Sequence, residues 1–333
     1  MSPAEAMAAG ARNLLVDCGG FDAGDEILIV HEDPALGWYD LAAPMAVAFE
    51  ARRLGMRAHL ATVRGPDNDR RGIREIADHA NVVFFARIGD QDRFAEPVPG
   101  RTVVMSYARD GRTLGSAYGR TPHGAMVALK EAVDEVLLGA ARITIACPHG
   151  TSVAGSLAPG HRTRNADVSV RRFPLGVPQP VAADGFSGRV ALSRYLTPTG
   201  SRVYAPAVLP LEAPVFAQVE AGRIAGFEGD PIVVAKIRAH YDHVAGLFGI
   251  DRDAVHSWHA GLHPASDYPD PPEADPDRWS NSVFTSPRWL HFHTCGAYAP
   301  GEICWMVGEP TVEVDGVALW REGRLLVGLP GVE

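Results

Sequence analysis

DEILIV at residues 25–30, LAAPMAVAFEARRLG at 41–55 and MRAHLATV at 56–63 together decide the fold. The first is a short apolar run. The second places its apolar residues at helical spacing and stops at Gly55, and the third is apolar at every second position. Strand, helix and strand in that order make a βαβ unit, whose right-handed crossover requires a parallel sheet. The pattern continues: DRRGIREIADHA (69–80) reads as a helix before strand NVVFFAR (81–87). RTVVMSYA (101–108) reads as another strand, and PHGAMVALKEAVDEVLLG (122–139) as a long helix leading into RITIACP (142–148). Residues 1–155 are therefore expected to form an α/β domain around an open, doubly wound, mostly parallel sheet.

Beyond about residue 160 the texture changes. RRFPLGVPQPVAADGFSGRVALSRYL (171–196) is rich in Pro and Gly with short β-type runs, and APVFAQVEAGRIAGFEG (213–229) reads as two strands joined at EAG. DPIVVAKIRAHYDHVAGLFG (230–249) is an amphipathic helix that starts at an Asp-Pro cap and ends at a glycine. PTVEVDGVALWREGRLLV (310–327) gives two further β-runs. Residues 156–333 are expected to be a mostly antiparallel α+β domain that carries the cleft.

The formal charge of -9 over 333 residues, with no basic run to offset it locally, opposes a phosphate backbone, so nucleic acid is not expected as a partner. Cys18, Cys147, Cys295 and Cys304 form no CxxC pair and read as reduced thiols. The first residues lack the basic and apolar regions of a secretory signal, and no apolar run approaches the roughly 18 residues of a membrane span. A soluble, cytoplasmic protein is expected. The glycines of CGGFDAGDE (18–26) precede a strand, whereas a phosphate cradle follows one, so they read as a turn. YDHV (241–244) and HEDP (31–34) read as surface polar residues.

The histidines carry the remaining signal. His256, His259 and His263 in HSWHAGLHP (256–264) would share a face if helical, and neutral imidazoles projecting together hold zinc or iron. Gly261 and Pro264 oppose that helix. In HFH (291–293) the two histidines point to one side of a strand, where they would ligate a metal or line a polar cleft.

Several blocks in the second half resemble, in order along the chain, the metal-dependent aminopeptidases of the M29 type and their relatives the 2,5-dihydroxypyridine ring-opening dioxygenases. They are FPLGVPQPVAADGFSG (173–188), the hairpin at 213–229, SWHAGLHP (257–264), LHFHTCG (290–296) and GEICWMVGEPTVEVDG (301–316). The resemblance implies that fold and a homodimer. Carried over one residue at a time, it places the family's first glutamate ligand on Val177 and the second block's Glu or His on Ser257. The next histidine falls at or beside Phe292. The closing His and Asp fall on Glu302 and Cys304, with Asp315 and Gly316 fixing the register. Most of the family's donors are thereby lost, and because a one-residue shift on a strand reverses a side chain, His256, His291 and His293 are poor substitutes.

The function so implied is a non-catalytic peptide-binding protein without a metal or other cofactor. It is similar to the peptide-binding proteins of crocagin biosynthesis, which present a precursor peptide to a modifying enzyme. Its ligand-binding residues are expected to be Val177, Ser257, His259, His263, Arg288, His293, Glu302 and Cys304. Aromatic anchors would come from Trp258, Trp279, Trp289, Trp305 and Trp320. Two alternatives stand beside it. One is a metal-dependent aminopeptidase or Fe(II) ring-cleaving dioxygenase rebuilt from His259, His263, His293 and Glu302. The other is a metal-free enzyme with Cys304 or Cys295 as nucleophile.

Overall fold

The computed structural model describes residues 1–65, 81–90, 98–157, 168–198, 204–297 and 300–328. Two compact units result, Met1–Val127 with Asp167–Leu175, and Ala128–Ala166 with Gly176–Pro330. The second begins inside a helix, ahead of the expected boundary at 155/156, because that helix continues into strands that pair within it.

The first unit opens with α1 (Pro3–Arg12), which the sequence reading did not anticipate. Ser2 and Glu5 cap it reciprocally, and a π-helical turn, Asn13–Cys18, continues it. The βαβ reading holds. Strand β1 (Glu26–Glu32), helix α2 (Ala42–Arg53) and β2 (Arg57–Val63) follow in order, and β1 pairs β2 in parallel. β3 (Asn81–Phe85) and β4 (Thr102–Ser106) extend the sheet on the other side of β1. The helix expected at 69–80 lies outside the described residues. Ile27, Ile29, Val47, Val82, Phe85 and Val104 build the core between sheet and helices.

At the carboxyl ends of β1 and β3, Arg87 Nε lies 3.0 Å from both oxygens of Glu32, and Trp38 stacks under Arg87 and Arg109 at 4.7 and 4.5 Å. Glu32 is fully buried, so HEDP is not the surface patch expected; the bidentate pairing is what permits a carboxylate there.

Helix α3 (His123–Gly139) leads into β5 (Ile143–Ala146), which departs from expectation. β5 leaves the parallel sheet and pairs antiparallel with β6 (Ser152–Gly155). The fifth parallel strand is instead β7 (Arg171–Phe173), beside β4. The alternation of ITIA fits either sheet; the partner, not the local pattern, decides.

In the second unit come β8 (Val181–Ala182), β9 (Phe186–Leu192), β10 (Tyr195–Thr197), β11 (Leu209–Pro210), β12 (Val215–Glu220) and β13 (Arg223–Gly229). β12 and β13 turn at EAG as expected. Helix α4 (Pro231–Phe248) runs between an Asp230 cap, whose side chain accepts from two backbone N–H groups, and Gly249 in the left-handed region. There follow β14 (Val255–Ala260), α5 (Pro276–Val283), β15 (Trp289–Cys295), β16 (Glu302–Gly308), β17 (Thr311–Val314), β18 (Val317–Arg321) and β19 (Arg324–Leu325). Two antiparallel sheets form among the described residues. One has the order β13-β12-β9-β6-β5-β17-β18-β19 and the other β11-β10-β16-β15-β14-β8. The α/β plus antiparallel α+β architecture is the one expected.

Helix α4 covers one face of the six-stranded sheet. Tyr241 Oη sits 2.7 Å from the Trp305 indole N–H that donates to it and shares a short hydrogen bond of 2.5 Å with Thr294 Oγ1. Next to Tyr241, His240 is buried against the Tyr204 ring with its Nε2 lacking a hydrogen-bond partner among the described residues. Burial, and then the nearby His243, lower its pKa to about 4. The folded chain thus keeps His240 neutral while the unfolded chain protonates it below about 6.5. Its contribution to stability is complete above that value and declines as pH falls from about 6.5 toward 4, by up to about 3 kcal/mol. The urea midpoint measured against pH is expected to fall through that window and to fall less in His240→Leu.

Candidate metal centre

The face of the six-stranded sheet opposite α4 carries the polar cluster, and strand register builds it. In β15–β16 pairing, His291 faces Met306, His293 faces Cys304 and Cys295 faces Glu302. In β14–β15 pairing, His259 faces His291 and Ser257 faces His293, while Thr197 of β10 faces Cys304. Side chains directly opposite share a face, so Thr197, Cys304, His293 and Ser257 form one row across four strands, and Met306, His291 and His259 the next. Phe292, Thr294 and Trp305 take the α4 side.

One potential ligand atom each from His259, His291 and His293 lies within 4.8 Å of the others, and the same holds for His293, Glu302 and Cys304. The tautomers follow from the partners. His259 Nδ1 stands 3.2 Å from the carbonyl oxygen of Pro178, which only accepts, so Nδ1 carries the proton. His293 Nδ1 donates to the Glu302 carboxylate. In the neutral rings both Nε2 atoms are then acceptors, and they face each other at 2.9 Å. Two lone pairs at that separation repel unless a proton or a cation lies between them. A divalent ion bound by both nitrogens would remove that repulsion. A ring whose outer N–H is held by a carbonyl or carboxylate is also how metal-ligating histidines are oriented. Glu302 Oε2, buried, has no hydrogen-bond partner among the described residues. The donor set fits a divalent transition ion.

Supporting groups fix this arrangement. Pro178 belongs to the 174–180 segment, held where the Gln179 N–H donates to Asp134 of α3 at 2.8 Å and the Leu262 N–H to Gly176 O at 2.8 Å. Phe284, just past α5, stacks on His291 with ring centroids 4.1 Å apart. Tyr204 Oη donates to the Glu302 carbonyl at 2.6 Å. The donors are almost closed off: His259 and His293 are 6 and 7% exposed, Cys304 not at all.

The residues singled out from sequence separate into two groups. His259, His293, Glu302 and Cys304 converge, with Ser257 in the row beside His293. HSWHAGLHP is strand and loop, not helix: His256 projects to the other side, its Nε2 2.8 Å from the Cys295 carbonyl, and His263 lies buried in the loop after β14. Val177 is adjacent to Pro178 and contributes no donor. Arg288 is exposed and paired with Glu309. His291 and His293, both set aside on register grounds, belong to the cluster, because registering the family's histidine on Phe292 says nothing about the positions on either side that share the opposite face. Thr197 and the Pro178 carbonyl carried no sequence signal. Trp258, Trp305 and Trp320 are fully buried core residues, which excludes them as exposed ligand anchors. Burial pushes the Cys295 thiol up to about 11, against a nucleophilic role at neutral pH.

No protein-family profile matches the chain, and no curated protein matches it in sequence. Solved structures do. The 2,5-dihydroxypyridine dioxygenase from Pseudomonas putida KT2440 is similar with a TM-score of 0.66 at 12% identity, over 98% of this chain and 99% of that one. AmpT from Thermus thermophilus is similar with a TM-score of 0.51 at 13% identity, over 97% and 99%. The likeness is one of fold: the chain shares the architecture of these two proteins. Among the described residues no helix is long and apolar enough to cross a membrane.

Proposed function

We propose that the chain is a metal-dependent enzyme whose centre is His259, His291 and His293, with Glu302 orienting His293. The observation that supports this is the facing pair of imidazole Nε2 atoms at 2.9 Å, each ring fixed in the tautomer that leaves a lone pair inward. A bound ion would supply Lewis-acid polarisation or activation of water or oxygen. The chain's own part is separate from that. Pro178 and Glu302 fix the ring orientations, Phe284 pins His291, and the apolar residues around them keep out bulk water. The two similar folds suggest the reactions to assay, ring opening of a dihydroxypyridine and release of an N-terminal amino acid.

Elemental analysis of protein purified without chelator, followed by titration with Fe(II) and Zn(II), tests the reading. About one ion per chain is expected, lost in a His259→Ala/His293→Ala double variant. A chain that takes up neither ion overturns it.

A second reading, a non-catalytic groove that presents a precursor peptide to a modifying enzyme, is favoured by the near-complete burial of the donors and by an apolar residue, Val177, next to Pro178 where the resemblance calls for a glutamate ligand. Saturable binding of peptides encoded beside this gene by the metal-free chain, with no turnover in either assay, would select it. Size-exclusion measurements would test the homodimer.

A further inference from the structure

Cys304 is the residue in the cluster whose chemistry the histidine centre does not use. It lies fully buried on β16, directly opposite His293 in register, and one potential ligand atom each from His293, Glu302 and Cys304 lies within 4.8 Å of the others. Two buried polar atoms border it without a hydrogen-bond partner among the described residues: Oε2 of Glu302 and Oγ1 of Thr197, the residue facing Cys304 on β10. The other side of Cys304 is apolar, packed in a cluster with Tyr195, Trp279, Phe284 and Met306.

We propose that Cys304 is a thiolate donor to an ion held beside His293 and Glu302, which makes the centre selective for thiophilic transition ions of the zinc and cobalt kind over magnesium, calcium or manganese. The inference rests on the metal-dependent reading above and adds, on the other side of the shared His293, two donors, Cys304 and the Oε2 of Glu302 that the hydrogen bond to His293 leaves open, together with the class of ion. A thiolate in so apolar a setting is costly by itself, and a cation at the His293 and Glu302 side is what compensates it. Sulfur, imidazole and a single carboxylate together suit a borderline-soft ion, whereas the harder divalent ions favour all-oxygen sets. The thiol proton leaves to solvent as the ion enters. An apolar core cysteine would need neither the nitrogen and oxygen donors beside it nor the two polar atoms bordering it.

Co(II) added to the full chain under anaerobic conditions is the probe, because its spectrum reports binding and ligand type separately. Visible d–d bands are expected together with a near-ultraviolet sulfur-to-cobalt charge-transfer band. That band should vanish in Cys304→Ser and persist in Cys295→Ser. Zn(II) affinity of Cys304→Ser should fall by more than the roughly 10–100-fold that loss of an outer partner costs. The wild-type spectrum decides the matter even if a variant fails to fold. Cobalt d–d bands without the charge-transfer band overturn the thiolate and leave the histidine centre standing; no bound cobalt overturns the thiolate, and the histidine centre falls with it when Fe(II) and Zn(II) are refused as well.

Discussion

His293→Ala unfolds at a lower urea concentration than the parent chain, by an amount equivalent to about 3–5 kcal/mol, and binds no metal. Its imidazole is the partner of a fully buried carboxylate on one side and faces the second histidine on the other. Truncation leaves Glu302 inside the sheet with neither oxygen partnered among the described residues, and breaking one member of a buried pair costs far more than the pair contributes. Restoring a polar but uncharged partner separates the causes: His293→Ala with Glu302→Gln should recover a large part of the stability and none of the metal binding. A double variant as unstable as the single one would mean that the lost volume dominates, not the uncompensated charge.

Gly261→Ala is expected to lower stability by about 3 kcal/mol, at the upper end for a methyl forced into a packed interior. A Cβ there would stand 2.2 Å from the Ser286 carbonyl oxygen and 2.3 Å from its carbon, and backbone atoms cannot rotate aside as a side-chain end can. The displaced segment begins two residues after His259, and the Gly261 N–H donates to the Trp289 carbonyl at 3.0 Å. Metal affinity should therefore fall with stability although no donor is changed. Gly246 supplies the contrast. It lies exposed in α4 with nothing within 4 Å of its Cβ position, and Gly246→Ala is expected to stabilise by about 0.5–1 kcal/mol. Thermal unfolding of the two variants side by side distinguishes crowding at one glycine from the general effect of replacing any.

Local signals were enough wherever an element is determined by its own residues. Asp230 and Gly249 mark α4, Gly55 ends the first crossover helix region, and EAG turns β12 into β13 because caps and turns are chemistry between neighbours in sequence. Pairing is different. ITIA alternates as any half-buried strand would, and only its partners β6 and β17 put it in the antiparallel sheet. The same limit applied to the site. The histidines stood out by residue type, yet whether His259 meets His291 and His293 depends on the β14–β15 register, which irregular pairing between Val255 and Ser257 adjusts. Registering family ligands residue by residue pointed to Glu302 and Cys304 and set aside His291 and His293 alike, although both face the cluster, since neighbouring rows of one sheet face can converge. The backbone carbonyl of Pro178, which sets one tautomer, has no side-chain signature to find.

The stretch between β14 and β15 closes on itself at its base, where the Gly261 N–H meets Trp289, and the His263 N–H donates to Thr285 at 2.8 Å. Everything from Pro264 to Phe284, α5 included, is thus a cassette strung from a fixed clasp, while the donors sit on the sheet outside it. Such a cassette can be lengthened, shortened or exchanged without moving the coordinating atoms, provided the clasp, the ring packed on His291 and the Trp279 and Val283 side chains clustered with Cys304 are retained. Selectivity for what approaches the centre and affinity for what occupies it can therefore be altered independently in this chain.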